Sequence, residues 1–220
     1  MDAAVARARV LESCRNYSWS CASCFAYRST GTEPVMDALT LLKQDHKTVN
    51  SLFRKFEVAG DRAIVTKNDL AQRIVRELSV HAAIEEQVFY PAVRSELSNS
   101  TPLVLEGLEE HHVVKWLCSE IGSLTAEDER FDAKMSVLME TVRHHVREEE
   151  STLFPEVREA LGRKRLGELG DALEAAKKFA PTRPHPRLAD TPPMNVAIGG
   201  VAAVVDRAYD AGKKAFTGKS

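Results

Sequence analysis

The stretch HAAIEEQVFYP at residues 81–91 decides the fold, because it recurs as HVREEESTLFP at residues 145–155. Each stretch places a His four residues before a Glu, which is followed by a second Glu, an aromatic residue and a Pro at matching distances. Residues four apart lie on one face of an α-helix, one turn from each other. The sequence therefore predicts two helices of the same design.

A second His precedes each of these helices in a matching setting. The stretches are DHKTVNSL at 45–52 and EHHVVKWL at 110–117. His46 precedes His81 by 35 residues, and His111 precedes His145 by 34. The chain thus contains one helix–helix unit twice, which predicts an all-α protein with a four-helix bundle.

Apolar periodicity and helix-capping residues predict the bounds of the four helices. The first helix is expected over 37–57. The second is expected to begin near Thr66, with Asp69 completing an approximate capping box. The third is expected to begin at Thr101 as N-cap, with Pro102 in the first helical position. The fourth is expected to begin after Thr125 and to stop at Gly162.

Six ionisable side chains lie within the apolar stripes of these helices, and the stripes contain no Lys or Arg. Ionisable groups are rarely buried without a partner, so six of them facing one core would be strongly unfavourable. Bound cations would compensate this cost. The predicted metal ligands are His46, His81, Glu85, His111, His145 and Glu149.

Adjacent histidines leave two alternatives for the ligand register. His144 and Glu148 have the same four-residue spacing, but their stripe is more polar, and alignment on the repeated Pro favours His145. His111 is favoured over His112 because an acid precedes it, as one precedes His46.

Three neighbours of these ligands are expected to have other roles. Glu86 and Glu150 point well away from the His of their own helix, so we expect a place beside the metal or in solvent. Tyr90 is expected on the face opposite His81, provided that the helix is unbroken before Pro91.

Mixed imidazole and carboxylate ligation suits iron, with zinc or manganese as less suited alternatives. Two His per metal and two shared carboxylates leave coordination positions for an oxo or hydroxo bridge and for an exogenous oxygen or peroxide. A ferritin-like carboxylate site would need Glu-x-x-His on two helices. Only Glu109 and His112 have that spacing, so the motif occurs on one helix and a ferritin-like site is not expected.

The motifs DHKTV, HAAIEE…YP, EEHH and HVREEE…FP resemble the hemerythrin HHE cation-binding family over residues 37–162. The resemblance implies an up-and-down four-helix bundle with a non-haem centre of two iron ions, and the six residues named above fall on its ligand positions. Oxygen-carrying members place a second His four residues after the first on the third helix. Here Lys115 stands four residues after His111, which argues against reversible oxygen carriage.

The resemblance implies a protein that reacts with or senses oxygen, peroxide or nitric oxide. One alternative is a redox enzyme that decomposes hydrogen peroxide or oxidises ferrous iron. Another is a regulatory bundle that uses metal only to fold. His112, His144 and Glu148 stand next to predicted ligands and offer groups that could supply protons.

Composition limits the partners and the location. The net charge of −2 gives no general attraction to nucleic acid. The longest strongly apolar run, 196–205, has ten residues, whereas a membrane span needs about 20. Four scattered Cys form no disulfide framework, so we expect a reducing cytoplasm. We also expect a monomer or a homodimer.

Three segments are expected along the chain. Residues 1–35 lack sustained helical periodicity and are expected to be a poorly ordered extension, either transit-like or the result of a misassigned start. Residues 37–162 form the predicted bundle. Residues 163–220 form a C-terminal extension with a short helix at 164–178, a Pro-rich connector and a terminal helix at about 195–216.

Overall fold

The structure is a computed structural model that describes residues 36–60, 62–187 and 194–217. All regular elements in these ranges are helical, which confirms the predicted fold class. Residues 1–35, predicted to be a poorly ordered extension, lie outside the described residues. The α-helices are α1 (Ala38–Glu57), α2 (Ile64–Ile84), α3 (Tyr90–Glu96), α4 (Thr101–Ile121), α5 (Phe131–Glu148), α6 (Phe154–Lys177) and α7 (Met194–Thr217).

Two π-helical turns extend the bundle helices. The turn Glu85–Phe89 joins α2 to α3, and the turn Glu149–Leu153 joins α5 to α6. The four bundle helices are therefore α1, α2 with α3, α4, and α5 with the first part of α6. Short connections join them, as expected for antiparallel neighbours in a bundle.

Two apolar clusters form the core. One contains Leu42, Ile84 and Phe154, and the other contains Val49 and Leu138. Along α1, His46 lies between the residues that belong to the first cluster and those that belong to the second. Along each of the other bundle helices the His also lies between residues of the two clusters, so the histidines occupy the layer between them.

Two predicted helix starts are wrong. α2 begins at Ile64, so Thr66 and Asp69 lie inside the helix rather than forming a capping box. α5 begins at Phe131 because the backbone N–H and hydroxyl of Thr125 donate to Asp128 Oδ2, at 2.6 and 3.1 Å, and fold this segment into a turn. α4 begins at Thr101 itself, one residue before the predicted start, with Pro102 in its first turn.

Gly162 breaks α6 and starts the C-terminal extension. Its φ of 66° lies in the region that favours glycine. The helix after this break packs back on the start of α1, where a Cβ on Gly170 would lie 2.1 Å from the carbonyl oxygen of Met36. The extension thus continues the fold of the bundle.

The terminal helix α7 is held by its acidic residues. The buried carboxylate of Asp206 accepts hydrogen bonds from the backbone N–H groups of Thr182 and Arg183, both at 3.0 Å. Asp210 forms an ion pair with Arg76 of α2 at 3.3 Å. None of the helices in the described ranges combines the length and the hydropathy that crossing a membrane would require.

Candidate metal centre

The six predicted ligand side chains are all buried, and they converge in the layer between the two apolar clusters. Glu85 Oε2 lies 3.2 Å from His81 Nε2 and 3.3 Å from His111 Nε2. Glu149 Oε2 lies 3.4 Å from His46 Nε2 and 3.6 Å from His145 Nε2. Each carboxylate therefore stands between one His of the first repeat and one His of the second.

Several polar atoms in this cluster have no hydrogen-bond partner. They include Nε2 of His46, both ring nitrogens of His81, both carboxylate oxygens of Glu85 and Oε2 of Glu149. Burying such atoms without a partner is costly. Imidazole nitrogens and carboxylate oxygens are together good ligands for divalent transition metals, so the unpaired atoms fit cation binding.

The donor atoms form two groups, and within each group they lie within 4.8 Å of one another. Glu85 belongs to both groups, which is the geometry that a carboxylate shared by two cations requires. The groups are His46, His81, Glu85 and Glu149, and Glu85, His111 and His145.

Each of the four histidines also faces a carboxylate with its other ring nitrogen, Nδ1. We call Asp45, Glu86, Glu110 and Glu150 the outer carboxylates. A carboxylate that accepts from Nδ1–H leaves the lone pair of Nε2 directed at the centre. The Nδ1–oxygen distances are 2.8 Å for His46–Glu150, 3.2 Å for His111–Glu86, 2.7 Å for His145–Glu110 and 3.9 Å for His81–Asp45, the last too long for a hydrogen bond.

These contacts run in one direction around the bundle. Every bundle helix contributes a His to the centre and an outer carboxylate to the His of the next helix. A shift of one helix would therefore disturb two histidines. In order around the bundle, Asp45 faces His81, Glu86 faces His111, Glu110 faces His145 and Glu150 faces His46.

Two of the outer carboxylates have a lysine partner. Lys115 Nζ lies 2.9 Å from Glu86 Oε1. Lys177, at the end of α6 in the C-terminal extension, forms an ion pair with Asp45. Lys115, which stands four residues after His111, thus contacts a carboxylate beside the centre, and the extension reaches the centre through Asp45.

Tyr90 was expected to face away from His81 only in an unbroken helix, and the π-helical turn Glu85–Phe89 removes that condition. Pro91 and Pro155 have no backbone N–H to donate. In the turns before them, the N–H groups of Tyr90 and Phe154 bond to the carbonyl oxygens of Glu85 and Glu149. This wider turn rotates Tyr90 inward.

The inward position of Tyr90 connects it to the centre. Its hydroxyl donates a hydrogen bond to Glu149 Oε1 at 2.9 Å, and burial raises the pKa of this phenol well above its usual value. Gly107 leaves room for the hydroxyl, since a Cβ there would lie 2.9 Å from it.

Burial and neighbouring charges shift the ligand pKa values in different directions. Burial lowers the pKa of His81 to about 4 and also lowers that of His111. Burial together with the charge of Glu149 raises the pKa of Glu85 well above its usual value. Burial opposes ionisation of Glu149 too, but the neighbouring His145 and His46 hold its pKa below the usual value. Without metal, the carboxylate pair therefore favours a proton on Glu85.

The alternative register places its residues outside the buried cluster. His144 is 54% exposed, and its Nε2 lies 3.3 Å from Glu148 Oε1. His112 is half-buried, and its Nε2 accepts a hydrogen bond from Trp116 Nε1 of the same helix at 3.1 Å. The structure thus brings His111 and His145, rather than their neighbours, to the centre.

Comparison with known proteins points to one family. A family model described as the Hemerythrin HHE cation binding domain matches residues 37–157. An uncharacterized hemerythrin-like protein of Schizosaccharomyces pombe is 29% identical over 168 residues, which cover 76% of this chain and 82% of the yeast protein. A DNA nickase of Nostoc sp. is 30% identical over 142 residues, which cover 64% of this chain but 39% of the nickase.

A solved structure has the same fold. It is the crystal structure of a hemerythrin HHE cation binding domain-containing protein from Mycobacterium kansasii. The two structures superpose with a TM-score of 0.56 at 24% identity, over 64% of this chain and 85% of that chain.

Proposed function

Because this chain belongs to the hemerythrin HHE cation-binding family, we propose that its bundle holds two iron ions that react with or sense oxygen, peroxide or nitric oxide. The six converging His and Glu side chains are the proposed ligands. The observation that carries the proposal is the set of buried ligand atoms without a hydrogen-bond partner. Bound iron would supply redox chemistry toward these small molecules.

The chain's own residues prepare such a centre. Three of the outer carboxylates, Glu86, Glu110 and Glu150, hold the Nδ1 atoms of His111, His145 and His46, so that the Nε2 lone pairs of these imidazoles face inward. Glu85 and Glu149 each stand between two histidines and would hold the cations together with them. Tyr90 donates a hydrogen bond to Glu149 Oε1 and fixes the orientation of that carboxylate.

An apolar cavity lies against the histidines. It leaves about 20 Å³ for a water-sized molecule, and Val49, Leu78, Val114 and Val142 line it together with the four imidazoles. Apolar walls exclude water and admit a small, weakly polar molecule. This cavity favours a diatomic ligand.

A second cavity, which we call the polar cavity, favours a redox enzyme as the second candidate. It leaves about 20 Å³ for a water-sized molecule, and its lining includes Tyr90, Glu110, Glu148 and Glu149 beside the apolar Leu103 and Leu153. These polar groups would suit hydrogen peroxide, which both donates and accepts hydrogen bonds. Peroxide decomposition or ferrous iron oxidation is therefore the alternative to sensing.

DNA cleavage is not part of the proposal. The match covers 39% of the nickase, and the net charge of this chain gives no general attraction to nucleic acid. A regulatory bundle that uses metal only to fold remains a third alternative, which would show metal-dependent stability without turnover.

The test is metal analysis with an optical spectrum on protein purified in air, followed by addition of hydrogen peroxide. We expect about two irons per chain. Sustained release of oxygen would identify a peroxide-consuming enzyme, whereas a spectral change without turnover would identify binding or sensing. Folded protein that takes up no metal would refute the proposed centre.

A further inference from the structure

The second repeat has a cluster of metal-binding side chains outside the centre. His144 Nε2 lies 3.3 Å from Glu148 Oε1 and 3.7 Å from Glu110 Oε1. The three residues offer ligand atoms that lie within 4.8 Å of one another. Because His144 is exposed and Glu148 is half-buried, a cation could reach this group directly from solvent.

Glu110 belongs both to this cluster and to the surroundings of the centre. Its Oε2 accepts a hydrogen bond from His145 Nδ1 at 2.7 Å, while its Oε1 faces His144. One carboxylate therefore links the exposed cluster to a buried imidazole of the centre.

The polar cavity joins the same two places. Glu110 and Glu148 line it at the exposed cluster, and the buried residues Tyr90, His145 and Glu149 line it at the centre. Glu149, which is 4% exposed, keeps its Oε2 without a hydrogen-bond partner. Carboxylates therefore line this cavity from the exposed cluster to the buried centre, where Glu149 Oε2 faces the Nε2 atoms of His46 and His145, and such a lining favours the passage of a cation.

The first repeat is closed at the corresponding position. Val80 and Ile84 stand where the second repeat has His144 and Glu148. Ile84 is fully buried in the apolar cluster that the C-terminal extension completes, and Val80 packs against this cluster. Asp45 of the first repeat corresponds to Glu110 of the second. Asp45 forms an ion pair with Lys177, whereas Glu110 faces His144, an imidazole outside the centre. The first repeat therefore closes its side of the bundle with apolar side chains, whereas the second repeat has polar side chains at the same position.

We propose that Glu110, His144 and Glu148 form a cation-capture site, which takes a divalent metal from solvent and passes it through the polar cavity to the centre. The proposal rests on the proposed metal centre. Capture by a surface cluster of negative charge raises the local cation concentration and speeds association. The site thus determines how fast the centre is loaded, without determining how much metal it holds.

The test is the rate at which the full chain, stripped of metal by a chelator, takes up Co²⁺ in a stopped-flow instrument, followed by its visible absorption. We expect Glu148→Gln and His144→Ala each to slow loading by about fivefold or more. The final cobalt content should equal that of the unmodified chain. Glu140→Gln is the matched control, because it removes one exposed charge two turns earlier on the same helix and should leave the rate unchanged.

The outcomes separate the capture site from the centre. Unchanged loading rates in both variants, with normal final content, would overturn the capture site and leave the centre standing. Loss of bound cobalt in His144→Ala comparable to the loss in His145→Ala would make His144 a ligand of the centre and overturn the proposal as well. An unmodified chain that binds no Co²⁺ would overturn the centre and the capture site with it.

Discussion

The hydroxyl of Tyr90 donates a hydrogen bond to Glu149 Oε1 across 2.9 Å, and so joins the end of the first repeat to the acidic residue of the second. Glu149 Oε2 remains free for the centre. The bond therefore assigns different roles to the two oxygens of one carboxylate, one held by the protein and one available to a cation.

Replacing Tyr90 with Phe should change the spectrum of the metal-loaded protein without emptying the centre. The carboxylate of Glu149 loses its donor and can rotate, so the ligand field changes, while all six ligands remain. Removing a donor to a buried charge should also cost about 1–3 kcal/mol of unfolding free energy. Tyr209→Phe, which removes an exposed hydroxyl, is the control. Identical spectra for Tyr90→Phe and the unmodified chain would contradict this role.

Replacing Glu85 or Glu149 with Gln should at least halve the bound iron, because each carboxylate stands between two histidines and an amide is a weaker ligand. Metal analysis of the purified variants measures this. Glu148→Gln, a substitution next to Glu149 but on the exposed side, should retain the full content. Two irons per chain in both ligand variants would show that the proposed ligand set is wrong.

Replacing Lys177 with Met should speed the loss of metal to an external chelator. Lys177 pairs with Asp45, and Asp45 faces Nδ1 of His81, so the substitution loosens the support of one ligand. Changes to such supporting residues typically cost about 10-fold or more in metal affinity. Lys177→Arg should restore the slow rate, because it restores the positive charge.

The neighbouring residue provides the control for this effect. Lys178 is exposed and has the same charge, so Lys178→Met should leave the rate of metal loss unchanged. Equal rates in Lys177→Met, Lys178→Met and the unmodified chain would show that the C-terminal extension does not act on the centre.

In the metal-free protein, His81 should lower the free energy of unfolding as the pH falls from about 6.5 to about 4. Burial lowers the pKa of His81 to about 4 in the folded chain, against 6.5 for an ordinary His. In this window the unfolded chain binds the proton and the folded chain does not, so acid favours unfolding. The difference corresponds to about 3 kcal/mol.

Chemical denaturation of the metal-free protein at several pH values measures this effect. Other groups titrate in the same range, and Glu85 has the opposite sign because its pKa is raised. Comparison with metal-free His81→Gln removes these contributions, since the two proteins differ only at this residue. The variant should show a flatter dependence on pH, and equal slopes would refute the assignment to His81.

The repeated motif was sufficient to predict the bundle and the six converging side chains, because both follow from helical spacing within one segment. The outer carboxylates were harder to predict, since each supports a His on a different helix. Their signal was nevertheless present in the sequence. An acid precedes each upstream His, at Asp45 and Glu110. A second Glu, at Glu86 or Glu150, follows each of the two predicted Glu ligands.

Two other features depend on information that helical spacing does not contain. The inward turn of Tyr90 requires the extra residue in the π-helical turn, which Pro91 permits but does not impose. The contact between Lys177 and Asp45 depends on how the extension packs after Gly162, and a single glycine with φ of 66° fixes that path. Residues more than 130 positions apart meet there through packing alone.

The two π-helical turns also bear on the history of this chain. A π turn amounts to one residue inserted into an α-helix. Both repeats contain it at the same place, between the acidic residue that faces the centre and the Pro that follows. One insertion in an ancestral helix pair, followed by gene duplication, accounts for both turns, whereas separate insertions would have had to strike the same position twice.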